Sequence, residues 1–137
     1  MSDYGNPNYW ENRYAESEGK TFDWLENYSA IKPFIEERFS DCDIKTINLG
    51  CGNGEFQEEM YDDGYKNIVN IDISEVVIEQ MRVRSTERPG MEFAVGDVMD
   101  IKYPDNTFDL AIDKSTIDAL LCGENAFVNV AKMTKEI

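Results

Sequence analysis

Apolar residues recur with two different periods along this chain, and the change falls near residue 44. Before it, Leu25, Tyr28, Ile31, Ile35 and Phe39 lie at helical spacing, and Pro33 inside that stripe predicts a kink or a restart. After it, β-branched runs alternate with helical ones. "IKTINL" and "NIVNID" predict strands, and between them Gly54 to Asp63 places Phe56 and Met60 on one helical face. Ser74 predicts the N-cap of a second helix reaching about Arg84, with Glu75 in its first turn and Val77, Ile78 and Met81 facing inward. "MEFAV" and "FDLAID" predict two further strands. Short strands without polar alternation, separated by helices, predict an α/β fold built on a mostly parallel sheet covered on both faces.

The first 40 residues differ from the rest, because they carry more than half of the aromatic side chains. The predicted organisation is therefore an aromatic-rich helical extension over 1–40 and an α/β core over 41–137. At 137 residues this is a single domain able to bury a real core. Its formal charge of -15, from 13 basic and 28 acidic residues, speaks against a nucleic-acid partner, whose affinity rests on cation-phosphate contacts. A basic protein surface suits it better, and the same acidity also keeps a protein soluble. No stretch reaches membrane-spanning length and no secretory start is present, so no membrane partner is expected. Oligomeric state is not legible.

Cys42, Cys51 and Cys122 are odd in number and widely spaced, and the chain has no histidine. No metal site is expected, and a reducing, cytoplasmic location is. The missing imidazole also removes the usual general base and every Ser-His or Cys-His arrangement.

Gly50, Gly52 and Gly54, in "NLGCGNGEF", fall where the first strand turns into the first helix, at the sheet edge where open α/β folds take ligands. Gly50 and Gly52 permit positive φ and close approach of a bound molecule. The dinucleotide fingerprint fails, because Glu55 stands where its third glycine belongs and would repel a pyrophosphate; no Gly-Lys-Ser/Thr follows for a P-loop. A ligand without phosphate, carrying positive charge, fits better. Asp72 ends the second strand 20 residues beyond Gly52, the spacing at which a carboxylate reaches ribose hydroxyls. Asp97 follows the third strand and Asp113 ends the fourth, so three acidic residues share one edge.

Together "NLGCGNGEF", Asp72, "GDV" at Gly96 to Val98 and "YPDNTFDLAIDKST" resemble, in order and spacing, the motifs of class I S-adenosylmethionine-dependent methyltransferases. The resemblance implies a Rossmann-like, doubly wound, mostly parallel sheet and S-adenosyl-L-methionine as cofactor. It implies that Gly50, Gly52 and Gly54 lie under the methionine part, that Asp72 takes the ribose, and that Asp97 with Val98 meets the adenine, with Cys51 and Ile73 as further cofactor contacts. "YW..RY" at Tyr9, Trp10, Arg13 and Tyr14, and "DKSTIDALL" from Asp113, resemble more narrowly the subgroup containing lysine methyltransferases of translation elongation factor one-alpha. That implies a protein substrate such as lysine. It also implies direct displacement at the methyl carbon, which needs orientation and a dry pocket more than a strong base. Asp113 is placed nearest the transferred methyl, as a cofactor contact and as the catalytic candidate that orients or attracts the amine; a structural cap is the competing role. Tyr9, Trp10 and Tyr14, which no helical period ties to the core, are expected to fold over the glycine turn as a lid, whereas Leu25 and Tyr28 pack. Seven strands are usual in the family and four are read here, with "AFVNVAKMTKEI" as a helix leading to a fifth, so the chain is expected to be incomplete at its C-terminus. A catalytically silent binding module and a small-molecule methyltransferase are the alternative readings.

Overall fold

The computed structural model describes residues 6–16, 28–39, 41–104 and 107–113. Two helices, α1 (Pro7–Glu16) and α2 (Tyr28–Arg38), precede four strands, β1 (Thr46–Leu49), β2 (Ile68–Asp72), β3 (Met91–Val95) and β4 (Leu110–Asp113). Helix α3 (Phe56–Asp62) joins β1 to β2 and α4 (Glu75–Arg84) joins β2 to β3. Every described strand pair is parallel, in the order β3-β2-β1-β4. The chain thus steps outward from β1 to β3 and then returns to the far side of β1. That reversal is the switch point at which open α/β sheets form a ligand crevice. The register sets Leu49 beside Ile71 and Asp113, and Asp72 beside Val95, so the strands end at one edge.

The predicted strands are all present; "MEFAV" is found at full length, whereas "IKTINL" and "FDLAID" each pair only over their last four residues. Helix α3 starts at Phe56, two residues later than predicted, because Glu55 supplies no side-chain cap. Helix α4 begins as predicted, with Ser74 Oγ accepting the Val77 N–H at 3.3 Å. One continuous helix runs through Pro33, so α2 does not restart there. Tyr28 and Ile35 are buried against Phe56 and Met60 of α3, with Ile31 and Phe39 partly covered; this packing outweighs the backbone bond that proline deletes. Leu25 lies outside the described residues, as does the segment read as leading to a fifth strand.

Strand alternation divides the core in two. Ile68, Phe93 and Ile112 face the four described helices, α2 and α3 on one half and α1 and α4 on the other. Ile47, Leu49 and Ile71 face the opposite way, against Val98, Met99, Ile101 and Phe108 of the segment between β3 and β4. The expectation of strands without polar alternation is corrected here. Thr46, Asn48 and Asn70 alternate with apolar neighbours, yet they are buried too, beneath the helices. Asn48 Nδ2 donates to Asn70 Oδ1 at 3.1 Å and to Gln57 Oε1 at 3.4 Å, and Asn70 Nδ2 donates to the Glu92 carbonyl at 3.0 Å. Such satisfied amides fix the register of neighbouring strands, because a slip would strand polar groups in the interior. Among the described residues no helix is long and apolar enough to cross a membrane.

Candidate functional site

The glycine turn leaves β1 directly into the crevice. Gly50 and Gly52 have φ of 71° and 59°, the left-handed region where a Cβ costs roughly 1–2 kcal/mol. The Gly50 and Cys51 amides both donate to the Ile71 carbonyl at 2.9 Å, and the Gly52 amide donates to Asp72 Oδ2 at 3.0 Å. From beneath, Gln57 Nε2 donates to the Gly54 carbonyl at 3.2 Å, and Arg84 at the end of α4 donates to the Asn53 and Gly54 carbonyls at 2.9 and 2.5 Å. The Arg84 guanidinium is itself paired with Glu58 of α3. Replacing Arg84 with methionine is expected to cost about 1.5–3 kcal/mol of stability, since charge-assisted bonds to buried carbonyls are lost. Urea unfolding measures it, and an unchanged midpoint would show that the loop carbonyls do not depend on Arg84.

Asp72 ends β2 with only 7% of its surface exposed. Its Oδ1 accepts the Ser74 N–H at 3.0 Å while Oδ2 holds Gly52. Burial pushes its pKa above the usual carboxylate value; the backbone bonds from Ser74, Gly52 and Ile73 pull the other way, and the Glu11 charge adds a smaller upward push. An ionised carboxylate offers about four acceptor positions, so it has capacity for further donors beside these. Ile73 is 36% exposed next to it. The Cys51 thiol is held well above its ordinary value by burial and by the Asp72 charge, so it stays protonated at neutral pH and is no nucleophile.

Asp97 follows β3, half-buried, with Oδ1 accepting the Met99 N–H at 2.9 Å in a local turn, and the next residue, Val98, is buried against Leu49 and Ile71. Asp113 closes β4, half-buried, level with Leu49. The strand-end residues Gly50, Cys51, Gly52, Gly54, Asp72, Ile73, Asp97, Val98 and Asp113 therefore all stand at one sheet edge. Lys114 and Thr116, which follow Asp113 in "DKSTIDALL", lie outside the described residues.

Tyr9, Trp10 and Tyr14 depart from the expectation of a lid untied to the core. All three lie on α1, which packs on α4. Tyr14 is 4% exposed among Val77, Ile78, Met81 and Phe93, and Trp10 stacks on it with ring centroids 6.0 Å apart. Tyr9 meets Trp10 edge-on at 5.1 Å, and its hydroxyl accepts from Arg13 at 2.6 Å. The Tyr14 hydroxyl nonetheless closes on the glycine turn: a Cβ on Gly52 would lie 2.9 Å from it. Tyr14 is thus a core residue and a wall of the turn at once. Burial beside the Asp72 charge keeps its phenol protonated throughout the ordinary pH range. At Gly52, the neighbour that a side chain would strike is part of the protein itself.

Sequence reading missed Glu11, Gln57 and Arg84, which brace the turn and the start of α4. Each sits on a helix where a charged or amide residue reads as solvated surface, and only contacts 26 to 65 residues away along the chain give Glu11 and Arg84 their partners. Among the described residues no group of acidic or thiol side chains is arranged to hold a metal ion.

The donor set fits S-adenosylmethionine. Positive-φ glycines bring backbone close without side chains, and the carboxylates at the strand ends accept from hydroxyl or amino groups and favour a cation over a phosphate. Residues 47–136 match the family model described as a methyltransferase domain. The chain is 41% identical over 124 residues to the mouse (Mus musculus) eEF1A lysine and N-terminal methyltransferase, covering 89% of this chain and 18% of that protein. It is 30% identical to the mouse EEF1A lysine methyltransferase 4, covering 88% of this chain and 48% of that one. The chain therefore spans less than half the length of these curated relatives. Among solved structures, the PH0226 protein from Pyrococcus horikoshii OT3 superposes with a TM-score of 0.63 at 28% identity, over 80% of this chain and 46% of that one. The [4+2]-cyclase SpnF, at 20% identity and a TM-score of 0.61, shares the fold over 98% of this chain and 53% of its own. The glycine turn, the buried carboxylate twenty residues on and the parallel sheet that aligns them are thus the parts of a known design: the chain belongs to the class I methyltransferase domain family, whose cofactor is S-adenosylmethionine.

Proposed function

We propose that this chain forms the cofactor-binding part of a methyltransferase that modifies a protein side chain, with a lysine amine on a basic partner as acceptor. The observation that carries the reading is the buried Asp72 carboxylate, bonded to the Gly52 amide at the mouth of the glycine turn. When bound, the cofactor supplies an electrophilic methyl group on a sulfonium. The chain's own part is to hold the ribose at Asp72, to meet the adenine side at Asp97 and Val98, and to keep water out with Tyr14. Asp113, at the end of the strand nearest the switch point, attracts and orients the incoming ammonium. The names of the relatives, both eEF1A methyltransferases, support a protein acceptor, and the charge of -15 supports a basic one. A reducing, cytoplasmic setting belongs to the same reading, supported by the odd number and wide spacing of Cys42, Cys51 and Cys122 in the sequence.

The test is incubation of the chain with methyl-labelled S-adenosylmethionine and cell extract, followed by hydrolysis of labelled protein to amino acids. Label recovered in methyl-lysine is expected. Label only in a low-mass fraction would replace the protein acceptor by a small molecule. No label, with the cofactor still raising the melting temperature, would leave a silent binding module. A rise with a nicotinamide dinucleotide alone would overturn the cofactor as well.

A further inference from the structure

Glu11 lies outside the strand-end constellation, yet its carboxylate joins three groups on another element. Its Oε1 accepts the Val76 N–H at 2.7 Å and the Ser74 hydroxyl at 2.9 Å, and Oε2 accepts the Glu75 N–H at 3.2 Å. The Glu75 and Val76 N–H groups are orphan donors at the first turn of α4, which a helix ordinarily satisfies from its own flanking residues, and the Ser74 hydroxyl belongs to its N-cap. Here an acid 63 to 65 residues earlier does so, and the cap becomes a bolt between two elements.

Both ends of that bolt touch the cofactor edge. On α4, Ser74 gives its own N–H to Asp72 Oδ1, so a shift of Ser74 moves the carboxylate that also holds Gly52. On α1, Tyr14 lies three residues beyond Glu11, on the same helical face, with its hydroxyl against Gly52 and its carbonyl accepting from Gln80 of α4 at 3.2 Å. We infer that Glu11 is a positioning residue for the cofactor site: its carboxylate fixes α1 on the start of α4 and so sets Tyr14 and Asp72 against opposite sides of the glycine turn. Partial burial works against its charge, but the bonds from Val76, Ser74 and Glu75 outweigh it and hold the carboxyl below its usual value, so the bolt is ionised at neutral pH. The Glu11 charge adds a small upward push to the Asp72 carboxyl, and a cation bound beside Asp72 offsets it.

The inference rests on S-adenosylmethionine being the ligand, and calorimetry with that compound tests it. Glu11→Ala is expected to raise the dissociation constant about tenfold or more, the loss of roughly one charge-assisted bond's contribution, and to remove hydrogen-exchange protection from the α1 amides. Glu11→Gln keeps the oxygen that serves Ser74 and Val76, and is expected to stay within about threefold of the wild type. Glu11→Asp keeps the charge but shortens the reach by a methylene, and is expected to lose about fivefold; it also serves if the alanine variant does not fold. Tyr28→Phe, which removes a 2.7 Å bond to Asp63 far from the turn, is the control for general destabilisation and is expected to bind within about twofold. Wild-type affinity in both Glu11→Ala and Glu11→Asp would overturn the inference alone, as would a Tyr28→Phe loss equal to that of Glu11→Ala. A wild-type chain that does not bind would overturn the cofactor assignment together with it.

Discussion

Asp72→Ala is expected to weaken S-adenosylmethionine binding by roughly 2–4 kcal/mol, about 30- to 900-fold in the dissociation constant, as loss of charge-assisted bonds in a buried site requires. Two effects add. The direct contact to ribose hydroxyls disappears, and the Gly52 and Ser74 amides lose the acceptor that sets the turn. Asp72→Asn separates them, because an amide oxygen still accepts one backbone N–H while the charge is gone. The pH dependence has a definite sign. The folded-state pKa of Asp72 lies above its ordinary value, chiefly through burial, so the free protein binds this proton more tightly than the unfolded chain does. The contribution of this group to stability therefore rises as pH falls through the raised folded value, and levels off below the ordinary carboxylate value. Cofactor affinity moves the other way, because hydroxyl donors and a sulfonium both favour the ionised form. Calorimetry across mildly acidic pH is expected to show affinity falling in the wild type and flat in Asp72→Asn. An unchanged affinity in Asp72→Ala would reduce the residue to a strand end that serves neither the ribose nor the turn.

Tyr14→Ala carries the second large effect, because the side chain serves two places. Removing a ring that is 4% exposed among Val77, Ile78, Met81 and Phe93 is expected to cost about 3–5 kcal/mol, which for a domain of this size lowers the melting temperature by roughly 10 °C or more. Cofactor affinity is expected to fall with it, since the wall beside Gly52 goes too. Tyr14→Phe divides the roles: packing and melting temperature are largely kept, and any change in affinity then belongs to the hydroxyl. A Tyr14→Ala chain that melts like the wild type but binds poorly would restore the lid expected from the sequence and contradict the packing seen here.

That contrast marks where the chain was legible. The glycine turn, Asp72 and the Ser74 cap could be placed from spacing because each depends on neighbours within one strand-turn-helix unit. The parallel sheet followed from β-branched runs punctuated by helices. Tyr14 was misjudged for a physical reason: Trp10 and Tyr14 are a single helical turn apart, too short a run to mark a buried face, and the burial of Tyr14 depends on α4, more than 60 residues away. Asn48 and Asn70 hid differently. Inside an apolar-looking strand they read as tolerated polar residues, whereas they face each other across the sheet and cross-bond. Glu11 and Arg84 look like surface charges until the partners they cap are brought to them.

The docking of α1 onto α4 also sets an order on folding during synthesis. Glu11 must wait for Val76, 65 residues later, and at ordinary translation rates that interval is roughly 3 to 13 s. Throughout it Trp10 and Tyr14 have no apolar surface of α4 to cover them, while α2 finds α3 sooner, since Tyr28 needs only Asp63. Helix α1 therefore stays uncovered longer than α2 during synthesis, and a slow stretch of codons before residue 74 is expected to lengthen that exposure in proportion.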